Sequence, residues 1–255
     1  MHIGTNSFLS SNMISVAIKR NFADLDQALA RLSSGRRINS AADDPAGLII
    51  SERLRGRIGS LNREIENVQM SIGKYETVGH QIMDLRSQLN EMRSLAVGAA
   101  NGAFNSEDTQ RAYQDAADSL VANYNRAVAN AEYNGRHTLD GSEGALANIA
   151  SLTDIDLSNP EMAAETIDRI DAAAREIDAA MMDVGSTQKF DLESQLSSLM
   201  IERQNLVAAE SQLADTDYAQ EYANYIGTLI RTKASVALLS HSFLTGQSVL
   251  DLFGR

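Results

Sequence analysis

The chain has 255 residues, 34 of them acidic and 22 basic, for a formal net charge of -12, with no Cys, no Trp and two Pro. Hydrophobic residues make up 44 %, enough to bury a core, which excludes a chain disordered by composition. The acidic balance speaks against nucleic acid and anionic membrane as partners, and a Cys-free chain holds no disulfides, thiolate metal sites or thiol nucleophiles.

No stretch reaches the roughly 18 apolar residues of a membrane helix, and residues 1–20 lack the continuous apolar core of a signal peptide. The expectation is therefore no membrane insertion, and a chain that stays in the cytosol or is exported without a cleaved signal peptide.

In chain order, Ile14, Ile18, Phe22, Leu25, Leu29 and Leu32 recur at three- and four-residue steps and predict an amphipathic helix closed by Gly35. Ser40 or Asp43 then reads as the cap of a helix starting near Asp44-Pro45, with Pro in its first turn. From Leu54 the apolar positions run through Ile58, Leu61, Ile65, Val68, Ile72, Tyr75 and on to Met92 and Ala96, a heptad seam with one stammer near Tyr75. After a break at Asn101-Gly102, Asn105 or Ser106 is placed to cap a shorter helix whose seam is Tyr113, Ala117, Leu120, Tyr124, Ala127 and Ala131.

Residues 132–159 lose the helical period and carry Asn134-Gly135, Asp140-Gly141 and Gly144, which predicts a small β-hairpin or extended excursion. Pro160 opens another helix, whose seam from Ile167 to Val184 shifts phase around Gln188 and resumes at Leu192. The last helix carries Tyr218, Tyr222, Tyr225, Leu229, Thr232, Val236, Leu239, Phe243, Gly246, Leu250 and Phe253 on the same alternating steps. The fold class is thus mainly α: a long antiparallel helical bundle or coiled coil with one small β-hairpin, its terminal helices paired as a second layer. Those terminal stripes have no obvious partner but each other or further copies of the chain, since left in water they are a large sticky patch.

The segment Leu32-Ser33-Ser34-Gly35-Arg36-Arg37-Ile38-Asn39-Ser40-Ala41-Ala42-Asp43-Asp44-Pro45-Ala46-Gly47 resembles the N-terminal signature of bacterial flagellins. Met92-Arg93-Ser94-Leu95-Ala96-Val97, Tyr133-Asn134-Gly135 and the run from Leu213 to Phe253 resemble later parts of that family in the same order. The resemblance implies a minimal filament subunit that polymerises into a helical tube and transmits motor torque. Residues 1–43 with 214–255 would form an inner layer of terminal helices, and 44–213 an outer bundle with its hairpin near 132–159. It places the assembly contacts on the two terminal stripes and on Arg36, Arg37, Asn39, Asp43 and Asp44. The implied partners are other copies, the filament cap, the hook-filament junction proteins and an export chaperone at the C-terminal helix; no cofactor is implied.

The family's vertebrate Toll-like receptor surface maps onto Glu91, Met92, Arg93 and Leu95. A basic residue usually heads that motif, whereas this chain has Glu91, and a second family glutamate falls near Ala116; the resemblance therefore implies weak or absent receptor activation.

Two other readings compete: a hook-filament junction protein, and a helical adaptor that binds partner helices along its seam. An enzyme is disfavoured, because the four histidines are scattered and neither a Gly-rich phosphate loop nor H-E-x-x-H occurs. The acidic run from Asp140 to Asp183, eleven acids and two bases, lacks the loop pattern of an EF-hand and reads as a solvated helix face.

Overall fold

The computed structural model describes residues 2–101, 106–142 and 145–253, and the side chains of 2–10 and 245–253 are not among those described. Leu250 and Phe253 of the expected stripe therefore lie outside the described side chains, and Gly102, Asn105 and Gly144 outside the described residues. The elements in order are α1 His2–Ser34, α2 Pro45–Ala100, α3 Glu107–Ala129, β1 Glu132–Tyr133, β2 Arg136–His137, α4 Pro160–Ser186, a π-helical turn Thr187–Leu192, α5 Glu193–Ala214 and α6 Tyr218–Phe253. They form two compact units, residues 1–60 with 203–255 and residues 61–202.

The second unit is the helical bundle. Its core follows the sequence seam of α2, with Val78, Ile82, Leu85, Leu89, Met92 and Ala96 all buried against Ala117, Tyr124 and Val128 of α3 and Ala163, Ile170, Ala174, Ile177 and Val184 of α4. At the stammer, Ile72 and Tyr75 are only half-buried, as expected where two successive three-residue steps shift the seam out of phase with its partner. Ser106 caps α3 and Asn159 caps α4, each side-chain oxygen accepting an amide of the first turn. The phase shift around Gln188 is taken up by the π-turn, whose extra residue per turn moves the apolar positions from Val184 to the half-buried Leu192 and Leu196 without ending the helix.

Strand pairing in the 132–159 excursion is confined to Glu132 opposite His137 and Tyr133 opposite Arg136, with one further bridge between Asp140 and Asn148. Asn134 and Gly135 both have positive φ, 53° and 74°, as a tight two-residue hairpin turn requires. From residue 150 to 157 the chain runs extended with no strand beside it among the described residues, and side chains of α3 take the place of a neighbouring strand. Asn125 accepts the amide of Leu152 and donates to its carbonyl, both at 2.8 Å. Gln114 donates to the Ile155 carbonyl at 3.0 Å and accepts the Leu157 amide at 2.6 Å. Gln110, buried, donates to the carbonyls of Leu157 and Ala99. These amides satisfy backbone groups that would otherwise be stranded against an apolar helix, and they let Leu152, Ile155 and Leu157 bury as a strap over the core.

Tyr124 is fully buried and its hydroxyl has no hydrogen-bond partner among the described residues. Burial, with a smaller contribution from the charge of Glu176, pushes its pKa up to about 12. A buried hydroxyl without a partner costs about 1 to 3 kcal/mol. Tyr124→Phe is expected to leave the fold intact and raise its unfolding free energy by about 1 kcal/mol in urea titration.

Candidate self-assembly surface

In the first unit α1 and α6 lie antiparallel. Ser11 bonds Ser242 at 3.0 Å, Asn21 donates to Ser235 at 3.4 Å, and Arg31 pairs with Glu221 at 3.8 Å. The closest contact is made by small and polar residues: Ala28, Glu221, Thr228 and Thr232 are buried, while Ile14, Ile18, Leu25, Leu32, Tyr225, Leu229 and Leu239 are half-buried beside them. Short side chains allow the two backbones to approach closely. The sequence stripes catch the flanks of this seam and, at its centre, Thr232; they miss Ala28, Glu221 and Thr228, to which apolar periodicity gives no weight.

Much of the apolar surface stays in water. Phe22 and Leu29 on α1, and Tyr218, Tyr222, Val236 and Phe243 on α6, are exposed. So are Ile230 and Leu244, which at about 100° per residue lie on the side of α6 opposite the buried Glu221, Thr228 and Thr232, and Leu238, which lies on its flank. Ala234 and Ala237 stand exposed between them. On α1, Asn12, Met13, Val16, Ala17, Arg20, Asn21 and Asp24 line an open groove, with Met13 74 % exposed. α1 covers only one side of α6, and an exposed apolar surface of this extent on a helix marks a contact with something larger.

The loops joining these helices to the rest of the chain are tied together. Gly35, at φ 71°, ends α1, and its carbonyl accepts the Thr216 amide at 2.9 Å. The Arg37 amide donates to the Ala214 carbonyl at 2.7 Å, and the Arg37 guanidinium donates to Leu213 at 2.6 Å, capping the end of α5. A Cβ on Gly35 would stand 2.8 Å from the Tyr218 hydroxyl. Gly35→Ala therefore meets both an unfavourable backbone conformation and a clash; the expected loss is about 1 to 2 kcal/mol, read as a lower thermal midpoint, and no loss would contradict the role assigned to this turn.

The cap of α2 is Asp44, whose Oδ1 accepts the Gly47 amide at 2.8 Å, rather than Ser40 or Asp43 as the sequence suggests. Asp43 instead organises the preceding turn, accepting the amides of Asn39 and Ser40, the Ser40 hydroxyl and the Gln27 side-chain amide. Those bonds, the Gln27 one first, hold its carboxyl below the usual value of 3.8. A group depressed on folding stabilises above its unfolded pKa and loses that contribution as pH falls through its folded pKa. Amide exchange at Asn39 and Ser40 should accordingly lose protection as pH drops below about 3.8, and Asp43→Asn should remove that pH dependence. Arg36 and Asn39 are exposed beside this turn.

In the bundle unit, two ion pairs seven residues apart on both helices join α2 to α4: Arg86 to Asp178 at 2.9 Å and Arg93 to Asp171 at 2.7 Å. Of the receptor-region residues, Met92 is buried in the core, Leu95 is half-buried against it, Arg93 is engaged with Asp171, and Glu91 is exposed. Among the described residues no cluster of His, Asp and Glu is arranged to hold a metal ion, and no helix is long and apolar enough to cross a membrane.

The comparisons with known proteins agree with this arrangement. Residues 5–144 match the bacterial flagellin N-terminal helical region and residues 167–253 the bacterial flagellin C-terminal helical region. The chain is 32 % identical to a flagellin of Halalkalibacterium halodurans over 89 % of this chain and 90 % of that one. It is 28 % identical to a flagellin of Bacillus subtilis, covering 88 % and 91 %. It is 27 % identical to a flagellar filament 33 kDa core protein of Treponema phagedenis, covering 96 % and 99 %. Two family regions in order, a helical bundle with a single small hairpin, and a terminal helix pair left apolar on its outer sides lead to one conclusion: the chain belongs to the bacterial flagellin family and is a structural subunit of the flagellar filament.

Proposed function

We propose that the subunit polymerises through the outer faces of α1 and α6, with Ile230 and Leu244 on the back of α6, Leu238 on its flank and the α1 groove around Met13 and Val16 buried by neighbouring copies. The observation that carries this reading is that α6 is apolar on two opposite sides and covered on one. Each such side chain contributes about 1.5 to 3 kcal/mol when buried, and a polymer repeats the contact for every subunit. In the filament, residues 1–43 with 214–255 form the inner layer and 44–213 the outer, while the turn containing Arg36, Arg37, Asn39, Asp43 and Asp44 sets the spacing between copies. Phe22, Leu29, Tyr218, Tyr222, Val236 and Phe243 complete the contact.

The chain acts without catalysis and reaches the filament by export without a cleaved signal peptide. The filament cap and hook-filament junction proteins meet the same terminal faces, and before export a chaperone covers α6, whose apolar surface is otherwise an aggregation hazard. Amide hydrogen exchange on monomer and polymer tests the assembly surface. Residues 230–244 should gain protection on polymerisation, and a gain confined to residues 61–202 would contradict it.

The receptor-region equivalents are inactive in this reading. Glu91 supplies the exposed charge where a basic residue is usual, and reversing a charge at a recognition hot spot costs several kcal/mol. Purified monomer should leave a Toll-like receptor reporter cell silent at concentrations where an agonist flagellin saturates it, and an equal response would overturn this.

A further inference from the structure

The tip of the hairpin carries a reactive pair that lies outside the proposed assembly contacts. Asn134 and Gly135 are both exposed, at φ 53° and 74°. Among the described residues neither the Asn134 carboxamide nor the Gly135 amide has a hydrogen-bond partner, and nothing stands within 4 Å of where a Gly135 Cβ would be. A backbone nitrogen with no side chain beside it and no bond to give up can reach the carboxamide carbon of the preceding residue. The neighbouring Asp140-Gly141 pair has related chemistry but is held shut. Asp140 accepts the Ser142 amide at 3.0 Å, the Gly141 amide donates to the Ala147 carbonyl at 3.3 Å, and a Cβ on Gly141 would meet Asn148 at 2.8 Å.

We propose that Asn134 is a site of spontaneous covalent modification, at which its side chain condenses with the Gly135 amide and the chain acquires an isoaspartyl link. The Gly135 nitrogen attacks Cγ of Asn134 and closes a five-membered succinimide; the amide proton is lost and ammonia leaves. Water then adds to either ring carbonyl. Opening at Cγ gives an ordinary aspartyl residue, and opening at the backbone carbonyl leaves the main chain running through Cγ as isoaspartyl. The sum consumes a water and releases an ammonia, with no oxidant, reductant or enzyme, so the modified fraction records the age of the chain.

The reaction runs from an opened hairpin, because ring closure requires Asn134 to leave its positive-φ turn. That opening is local. β1 and β2 share only the pairs Glu132 with His137 and Tyr133 with Arg136, and so short a two-stranded hairpin is marginal by itself. Residues 134–137 are all exposed. The base is held separately: the buried Thr138 donates its amide to the Ala131 carbonyl at 2.9 Å, and its hydroxyl donates to Gln81 at 3.1 Å. Residues 132–137 therefore open and close while the bundle stays folded. The isoaspartyl product carries an extra backbone methylene and no longer fits the two-residue turn, so the opening becomes fixed.

The test ages the full chain in mildly alkaline buffer and follows the tryptic peptide Ala127–Arg136 by mass spectrometry, with fragmentation that separates aspartyl from isoaspartyl. The decisive comparison is Asp140→Asn, which places the same dipeptide in the held turn, read in the peptide His137–Arg169. Isoaspartyl should accumulate at Asn134, and at least about tenfold faster than at position 140 of that variant, in proportion to how often each turn opens. Asn134→Gly, which tolerates the positive φ, should remove the product from Ala127–Arg136 and leave the thermal midpoint unchanged. Equal rates at the two positions would overturn the proposal, because the dipeptide and not the structure would then set the rate. So would a folded chain that stays unmodified at Asn134 while the urea-unfolded chain converts. Neither result depends on whether filaments form.

Discussion

Glutamate in place of both Ile230 and Leu238 is expected to abolish filament growth while leaving the subunit folded. Both residues are exposed in the subunit, 62 % and 59 %, and an exposed substitution of this kind shifts folding stability by about 0.5 kcal/mol or less. In the polymer each loses about 1.5 to 3 kcal/mol of apolar burial, and the new carboxylates must also shed water. A loss of about 3 kcal/mol per contact raises the growth threshold roughly a hundredfold or more, at about 1.4 kcal/mol per tenfold. Sedimentation of seeded samples reads the threshold, and circular dichroism melts read the fold. Ile230→Val serves as the control, keeping the face apolar and the threshold close to wild type. A double variant that pellets like wild type would remove the back and flank of α6 from the assembly surface.

The largest expected effect on folding comes from a polar residue. Gln110→Ala deletes the side chain that joins α3 both to the last turn of α2, through Ala99, and to the strap, through Leu157. Two buried carbonyls lose their donor, and each stranded acceptor costs about 1 to 3 kcal/mol. The expected destabilisation is about 2 to 4 kcal/mol in urea unfolding, with faster amide exchange at Leu152 and Leu157 as the strap loosens. Gln114→Ala should cost less, because Gln114 is only half-buried and water can reach the groups it leaves. A loss below about 0.5 kcal/mol for Gln110→Ala would show that apolar packing alone holds the strap.

The contrast between these two residues and the sequence explains what was legible. Long helices are written in apolar spacing, so the α2 seam from Leu61 to Ala96, the start of α4 at Pro160 and the phase shift near Gln188 are read directly from residue type and position, while Ser106 is one of two caps the sequence offers for α3 and the Asn159 cap of α4 goes unread. The strap is not, because its partners are side-chain amides. Gln110, Gln114 and Asn125 share one side of α3, but nothing in their identity distinguishes an amide that replaces a strand from one that faces water. The α1–α6 seam is partly hidden for a related reason: Thr232 falls on the sequence stripe, but the rest of its centre is Ala28, Thr228 and the paired Arg31 and Glu221, which an apolar period does not pick out.

At the turn before α2, Ser40, Asp43 and Asp44 are all competent caps, and only backbone geometry assigns the cap to Asp44. Phe22, Leu29, Tyr218, Tyr222, Val236 and Phe243 fit the periodicity and yet remain exposed within one subunit. Periodicity reports that a face is to be buried, and a single chain carries no record of whether its own residues or a neighbour's will bury it.

Electron microscopy of the purified chain after seeding, beside a truncation ending at Ala214, tests the central claim most directly. The account predicts long filaments from the full chain and none from the truncation, which lacks α6. Filaments from the truncated chain, or a full chain that stays monomeric under every seeding condition, would contradict a polymer built through the terminal helices.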